Sequence, residues 1–317
     1  MKEKIKIVFM GSPDFAIPSL KAICDDDRFE ILAVVTVPDK PAGRGQSLTP
    51  PPVKTFAAGK KLSVWQPLKL KEIKEKLLEA FPDLILVIAY GKLVPKDILS
   101  IPKYGCVNVH GSILPRYRGA AVLQAPILHG DDKTGISIIL MDEGLDTGPI
   151  IRIEEIELNG METAEDIHDA LAELGAKTLP QTLMDLVEGK IIPQPQKGPS
   201  TYVKEIKKED GKIDWSKPAI ETERAVRAYT PWPGSYALFK DKDEKIKIIK
   251  ILAARKDESK EGRPFGEIFM KDGRMAIQCG VGALIVTKLQ LEGGKPMPSE
   301  EFLLGHRDWM GKKLELN

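Results

Sequence analysis

The chain has 317 residues, which indicates about two domains, and its net charge of +1 confines any contact with nucleic acid to local basic patches. Its three cysteines are widely spaced and form no C-x-x-C pair, which argues against a disulfide framework or a zinc site and is typical of a reducing cytoplasm. We find neither the pattern of a signal peptide nor an apolar stretch long enough to span a membrane, so we expect a cytoplasmic protein without a membrane partner.

The first half of the chain alternates short apolar runs with amphipathic stretches. Strands are predicted at residues 5–11, 31–36, 83–89, 106–110, 135–140 and 149–156, and helices between them include 68–81, 122–129 and 163–188. This alternation predicts an α/β fold with a doubly wound, mostly parallel, Rossmann-like sheet. The first strand ends at Gly11 without a G-x-G-x-x-G pattern, so Gly11 is interpreted as a tight strand-to-helix turn and not as part of a dinucleotide site.

A long loop rich in proline and glycine follows the second predicted strand, at residues 37–52. It carries Lys40 and Arg44, and Asp39 is its one carboxylate. Long loops within compact domains are usually functional or disordered. The residues alone leave two interpretations open, a solvated loop and a loop that contacts phosphate groups.

Two polar residues lie at the end of the predicted strand 106–110. Side chains two apart on a strand share a face, so Asn108 and His110 are neighbours while the valines between them point away. Gly111 ends the strand at the carboxyl edge of the sheet, where open α/β sheets bind ligands. An amide donor beside a proton carrier suits attack on a carbonyl carbon. The alternative is that these residues cap a turn or are satisfied surface groups, and it is weakened by the Ser-Ile-Leu-Pro run and the two arginines that follow.

The pattern changes after the long helix. Residues 189–211 are rich in turn-forming residues and are predicted to be a linker. Beyond them, short apolar runs alternate with turn signals at residues 235–239, 246–252, 266–270, 275–279 and 283–289, which predicts a small antiparallel domain, an OB-like β-barrel. From residue 206 onward there are 22 Lys and Arg against 18 Asp and Glu, which is a slight indication of a polyanionic partner. We therefore expect a catalytic domain with its linker at 1–205 and a β-barrel domain at 206–317.

Five motifs are spread over essentially the whole chain: DKPAGRG at 39–45, NVHGSILP at 108–115, RYRGAA at 116–121, VRAYTPWPG at 226–234 and GKPM at 294–297. Asp146 lies 36 residues after His110. Together these features resemble the folate-dependent formyltransferases and, within them, the enzymes that act on methionyl-tRNA.

The resemblance implies transfer of the formyl group of 10-formyltetrahydrofolate to the α-amino group of methionyl initiator tRNA, for translation initiation. Asn108 is then expected to donate to the oxyanion that forms on the attacked carbon. His110 and Asp146 are expected to carry or orient the proton that leaves the amine, and the sequence does not say which of the two holds it.

The resemblance also implies binding residues outside the catalytic trio. Folate is expected beside Ser112, Ile113, Leu114 and Pro115 and near Tyr90, Leu93 and Asp142, although Ile113 and Leu93 also fit a plain core and Asp142 a solvated loop. Contacts with tRNA are expected from Lys40, Arg44, Arg116 and Arg118 and from part of the C-terminal domain. Neither a metal nor a DNA partner is expected.

Three alternatives use the same scaffold: a formyltetrahydrofolate hydrolase, a formyltransferase for a sugar amine on a nucleotide, and a catalytically idle RNA-binding protein. The Gly-Arg-Gly of the 37–52 loop favours the tRNA enzyme. The presence of Asn108, His110 and Asp146 together disfavours the idle protein.

Overall fold

The structure is a computed structural model that describes residues 3–42, 47–240, 243–259 and 262–314. The chain forms two compact units. The first comprises residues 1–122, 133–157 and 168–203, and the second comprises 123–132, 158–167 and 204–317. Among the described helices, none is both long enough and apolar enough to cross a bilayer.

The secondary structure follows in chain order. The strands are β1 (Ile5–Gly11), β2 (Phe29–Val35), β3 (Lys40–Ala42), β4 (Ser47–Thr49), β5 (Val64–Trp65), β6 (Leu84–Ile88), β7 (Cys106–His110), β8 (Arg118–Gly119), β9 (Lys133–Leu140), β10 (Ile150–Glu157), β11 (Tyr202–Val203), β12 (Ser235–Lys240), β13 (Ile246–Asp257), β14 (Ile268–Lys271), β15 (Arg274–Gln278), β16 (Ala283–Leu291) and β17 (Met297–Pro298). The α-helices are α1 (Ile17–Cys24), α2 (Pro52–Gly59), α3 (Lys74–Ala80), α4 (Lys96–Leu99), α5 (Ala125–His129), α6 (Ala164–Val187), α7 (Ala219–Ala228) and α8 (Ser299–Gly305).

The first unit is built on a seven-stranded sheet in the order β10-β9-β7-β6-β1-β2-β5. The strands from β7 to β5 run parallel, whereas β9 is antiparallel to both β7 and β10. Every residue of β6 is buried, which explains its unbroken apolar sequence, because a central parallel strand is covered on both faces. The predicted mostly parallel α/β sheet is confirmed.

Gly11 ends β1 at the carboxyl edge of this sheet. A Cβ on Gly11 would lie 2.9 Å from the carbonyl oxygen of Ile88 and 3.0 Å from the side chain of Ala16. Only glycine allows the chain to turn this closely from the strand towards α1. The interpretation of Gly11 as a tight turn is confirmed.

The predicted long loop at 37–52 is partly regular, which corrects the prediction. Strands β3 and β4 pair antiparallel, with Lys40 opposite Thr49, and α2 begins at Pro52. Asp39 anchors the base of the segment, because its carboxylate accepts hydrogen bonds of 2.8 Å from Lys54 and from Gln66. Proline is tolerated in this two-stranded sheet, since an edge strand has few ladder hydrogen bonds to lose. Arg44 lies outside the described residues.

The predicted linker is also more ordered than expected. Gln194 exchanges backbone hydrogen bonds with Ile150, and β11 pairs parallel to β8. This pairing could not be predicted from hydrophobic periodicity, because each paired stretch is only one or two residues long and is surrounded by glycines and prolines. Backbone hydrogen bonds therefore attach residues 194–203 to the first unit, although most of these residues are exposed.

The second unit has its own sheet, in the order β12-β13-β16-β15-β14 with β17 on β16, and these neighbouring strands pair antiparallel. All five predicted apolar runs are strands, and the antiparallel arrangement is consistent with a small barrel. Its core residues include Trp215, Ile249, Leu284, Leu289 and Phe302. Helices α7 and α8, of ten and seven residues, were not predicted from the sequence.

Candidate active site

Asn108 is placed on β7 by the parallel pairing with β6, in which it lies opposite Val87. Its side-chain Nδ2 donates a hydrogen bond of 2.8 Å to the carbonyl oxygen of Val87. This contact fixes which way the amide faces, since a carbonyl oxygen can only accept. One N–H of the Asn108 amide is thereby committed, and the second can be given to a ligand.

His110 is the last residue of β7, and its side chain is 7% exposed. Its Nε2 lies 2.9 Å from the carbonyl oxygen of Tyr117, so Nε2 carries a hydrogen and donates it. Its Nδ1 lies 3.6 Å from Oδ1 of Asp146. The Asp146 carboxyl group therefore faces the ring nitrogen of His110 that is not bound to Tyr117.

Asp146 is held by a neighbouring backbone amide. Its Oδ2 accepts a hydrogen bond of 2.8 Å from the N–H of Gly119. Gly119 has a φ of +109°, and a Cβ there would lie 2.4 Å from the carbonyl oxygen of Val203. Glycine is therefore required at the residue that holds the Asp146 carboxylate, a role that the sequence did not predict.

The turn after β7 is fixed by two buried serines. Ser112 Oγ donates to the carbonyl oxygen of Arg116 at 2.7 Å. Ser137 on β9 donates from Oγ to the carbonyl oxygen of Ser112 at 2.7 Å and accepts from the N–H of Leu114 at 3.0 Å. The side chain of Leu114 is buried, whereas Ile113 and Pro115 are half-buried. Ser137 was not predicted as a site residue, because a serine inside an apolar strand gives no functional signal of its own.

The other residues predicted for folate have different surroundings. Tyr90 is 2% exposed and packs in the apolar core, where burial raises the pKa of its hydroxyl to about 12. Leu93 is 74% exposed, so it does not belong to the core. The carboxylate of Asp142 accepts from the N–H of Gly144 at 3.0 Å and from Thr147 Oγ1 at 2.6 Å, which closes its own loop.

The residues predicted for tRNA also differ from one another. Lys40 is exposed on β3. The guanidinium of Arg116 lies over the ring of Tyr117, 4.8 Å from its centre, and donates to the Tyr117 hydroxyl at 2.7 Å. All three side-chain nitrogens of Arg118 have partners within the first unit, Gln196 for Nε and Nη2 and Tyr202 for Nη1.

The described part of the chain contains no set of side chains arranged as metal ligands. No three His, Cys, Asp or Glu side chains among the described residues gather in a way that could hold an ion. Of the residues predicted to be catalytic, the structure brings His110 and Asp146 together, with Asn108 two residues before His110 on the same face of β7.

Two family profiles match the chain. The formyl transferase profile matches residues 4–183, and the profile of the formyl transferase C-terminal domain matches residues 205–307. Among solved structures, the N-formyltransferase of Helicobacter canadensis, in complex with folinic acid and dTDP-3-aminofucose, has a TM-score of 0.64 at 20% identity over 89% of this chain and 98% of its own. HypX of Aquifex aeolicus, in complex with tetrahydrofolic acid, has a TM-score of 0.59 at 17% identity over 95% of this chain and 47% of its own. At these identities the likeness is one of fold.

Curated relatives match at much higher identity and over nearly the full length. The methionyl-tRNA formyltransferase of Geobacter sulfurreducens is 42% identical over 315 residues, which are 98% of this chain and 96% of the relative. That of Caldanaerobacter subterraneus is 42% identical over 306 residues, which are 95% of this chain and 97% of the relative. These matches confirm the resemblance seen in the sequence motifs. The chain belongs to the formyl transferase family and, within it, to the methionyl-tRNA formyltransferases.

Proposed function

We propose that this enzyme transfers the formyl group of 10-formyltetrahydrofolate to the α-amino group of methionyl initiator tRNA, in the cytoplasm and for translation initiation. The observation that carries the proposal is the His110–Asp146 pair at 3.6 Å beside Asn108, at the carboxyl end of β7. This is where an open α/β sheet receives its ligands.

In this reaction the α-amino nitrogen attacks the formyl carbon, and the new C–N bond forms while the carbonyl oxygen gains negative charge. The second N–H of Asn108 stabilises that oxyanion. A single donor of this kind contributes about a hundred- to a thousandfold in rate. The bond between the formyl carbon and N10 of the folate then breaks, and the proton lost by the amine is returned to N10.

His110 carries that proton. Because Nε2 is engaged with the carbonyl oxygen of Tyr117, Nδ1 is the ring nitrogen that gains and loses the proton in this arrangement. Asp146 faces Nδ1 and orients the imidazole ring. The proposal requires no metal, since Asn108 meets the developing charge and His110 moves the proton.

The folate is proposed to lie against the turn at Ser112, Ile113, Leu114 and Pro115. The backbone of Ser112 and Leu114 is fixed by Ser137, so the turn is a rigid edge for a flat pterin ring. Exposed Leu93 can cover such a ring. Tyr90 is proposed to contribute its backbone only, because its side chain lies in the core, and Asp142 to shape the loop that borders the pocket.

The tRNA is proposed to contact Lys40, Arg44 and Arg116 of the catalytic domain, residues 1–205, and the C-terminal domain, residues 206–317. Lys40 is exposed, and Arg116 offers a guanidinium stacked on an aromatic ring. DNA is not proposed as a partner. Arg118 is left out of this set because each of its side-chain nitrogens has a partner in the protein.

The reaction is tested with formyl-labelled 10-formyltetrahydrofolate, with and without methionyl initiator tRNA, and with a nucleotide-linked amino sugar in a third arm. We expect label on the methionyl amino group in the tRNA arm only. Release of labelled formate without an acceptor would instead indicate a hydrolase, and labelling of the sugar amine would indicate a sugar formyltransferase.

The tRNA contacts are tested separately by Lys40→Ala and Arg44→Ala. Each should lower kcat/KM for methionyl-tRNA, leave the KM for folate unchanged and reduce the salt dependence of tRNA binding by about one phosphate contact. Lys4→Ala is the matched control, because Lys4 is exposed just before β1, at the opposite edge of the sheet. Wild-type salt dependence in both variants would contradict the proposed contacts.

A further inference from the structure

Gln196 lies in the stretch between α6 and β11 and uses its whole side-chain amide. Its Nε2 donates to the carbonyl oxygens of Asp146 at 2.8 Å and of Gly148 at 2.9 Å. Its Oε1 accepts from Nε of Arg118 at 3.2 Å and from Nη2 at 2.6 Å. An amide has two N–H donors and two acceptor lone pairs, so all four are occupied.

The backbone that Gln196 binds is in a costly conformation. Asp146 has a φ of +54°, in the left-handed region that a residue with a side chain rarely adopts. Such a residue persists only where its surroundings hold it. The two hydrogen bonds of Gln196 fix the carbonyl groups on both sides of Thr147, and so they hold the loop in the shape that brings Asp146 to His110.

Arg118 supports Gln196 from the other side. Its remaining nitrogen, Nη1, donates to the hydroxyl of Tyr202 at 3.0 Å, and the guanidinium lies over the Tyr202 ring, 5.6 Å from its centre. The residue after Arg118 is Gly119, whose N–H binds the Asp146 carboxylate. Strand β8 therefore contacts Asp146 in two ways. The Arg118 side chain acts through Gln196, and the backbone N–H of Gly119 binds the carboxylate directly.

We propose that Gln196 and Arg118 are positioning residues that set the Asp146 carboxylate against His110, and that Arg118 acts through Gln196 and not through a phosphate group of tRNA. The inference rests on the proposed function. It replaces the sequence-based expectation that Arg118 contacts tRNA.

The first test is steady-state kinetics of Gln196→Ala. The expected result is a fall in kcat of about tenfold or more, because small displacements of a catalytic group are costly, with both KM values unchanged. Gln194→Ala is the matched control, since the Gln194 side chain is exposed and, among the described residues, donates only to the carbonyl oxygen of Ile192. Equal kcat in the Gln196→Ala variant and the wild type would overturn the proposal.

The second test separates the two roles of Arg118. Arg118→Lys keeps the positive charge but cannot offer Nε and a terminal nitrogen together to Gln196. A positioning role predicts a lower kcat with unchanged KM and salt dependence for methionyl-tRNA. A phosphate contact predicts near-wild-type kcat, and that result would overturn the proposal.

The third test asks whether Gln196 acts through Asp146. In an Asp146→Ala background, the further change Gln196→Ala should alter kcat less than about twofold, because its target is already gone. Multiplicative losses would assign Gln196 an independent structural role and overturn the proposal. Failure of the wild type to formylate methionyl-tRNA would instead contradict the proposed function, so the two failures are distinguishable.

Discussion

The two sides of the candidate active site are held in place by different means. Asn108 and His110 belong to β7, which is paired on one side with β6 and on the other with β9. Asp146 belongs to a loop, where one backbone N–H binds its carboxylate and one glutamine binds its carbonyl group. A strand in the middle of a sheet keeps its geometry when one contact is lost, whereas a loop held by a few contacts does not. We therefore expect distant substitutions to act mainly on the side of Asp146.

The largest effects should come from the side that the sheet holds. Asn108→Ala and His110→Ala should each lower kcat by about a hundred- to a thousandfold, because each removes a group that acts only in the transition state. Thermal unfolding should stay close to that of the wild type, since the backbone pairing of β7 is unchanged. Turnover of His110→Ala within a few-fold of the wild type would contradict its assigned role.

Gly119→Ala should give the next largest effect, on the loop side. The added Cβ would meet the carbonyl oxygen of Val203 at 2.4 Å, so β8 must move and take with it the N–H that holds Asp146. We expect kcat to fall about tenfold or more and the free energy of unfolding to fall by about 1–3 kcal/mol.

Gly189→Ala is the control for Gly119→Ala. Gly189 also has a positive φ, +70°, but a Cβ there meets no atom within 4 Å. The Gly189→Ala variant should have a lower free energy of unfolding because of backbone strain, while its kcat stays at the wild-type value. Equal kcat losses in the two variants would show that strain, and not the contact of Gly119 with Asp146, lowers turnover.

The difference between strand residues and loop residues also explains what could be predicted from the sequence. Asn108 and His110 were found from the sequence because a strand has a period of two and ends at a recognisable edge. The strands of the second unit were found for the same reason, by alternation and turn signals. Asp146 could be assigned only by family resemblance, since nothing in the local pattern of its loop separates it from Asp142 and Glu143.

The residues around Asp146 could not be predicted, and the reason is physical. Gln196 and Thr201 act through side-chain contacts with residues more than 40 positions away, on a segment whose glycines and prolines suggest a linker. Thr201 accepts from the N–H of Tyr117 at 2.8 Å, yet a lone threonine in such a segment carries no signal. Long-range polar contacts have no period, so only the folded chain reveals them.

Ser137→Ala should have a smaller effect, because it loosens the turn after β7 and leaves the strand itself intact. Ser137 lies opposite His110 in the β7–β9 pairing, and its hydroxyl makes two buried hydrogen bonds to the turn. Each is worth about 1 kcal/mol, so we expect the KM for folate to rise about fivefold with a much smaller change in kcat. Ser100→Ala is the control, because Ser100 is exposed and, within the described part of the chain, its hydroxyl donates only to the carbonyl oxygen of Lys96 one helical turn earlier. An unchanged KM in Ser137→Ala would separate the turn from folate binding.

Tyr90→Phe should have the smallest effect on catalysis and tests whether Tyr90 serves the site through its backbone alone. Among the described residues its buried hydroxyl has no hydrogen-bond partner, and the ring packs in the apolar core. Removing an unsatisfied buried hydroxyl relieves a desolvation cost of about 1–3 kcal/mol, so stability in urea should stay equal or increase. The KM for folate and kcat should both remain at wild-type values, because the ring and the backbone are kept. A several-fold rise in the KM for folate would show that the hydroxyl reaches the ligand, and that Tyr90 serves the site through its side chain as well as its backbone.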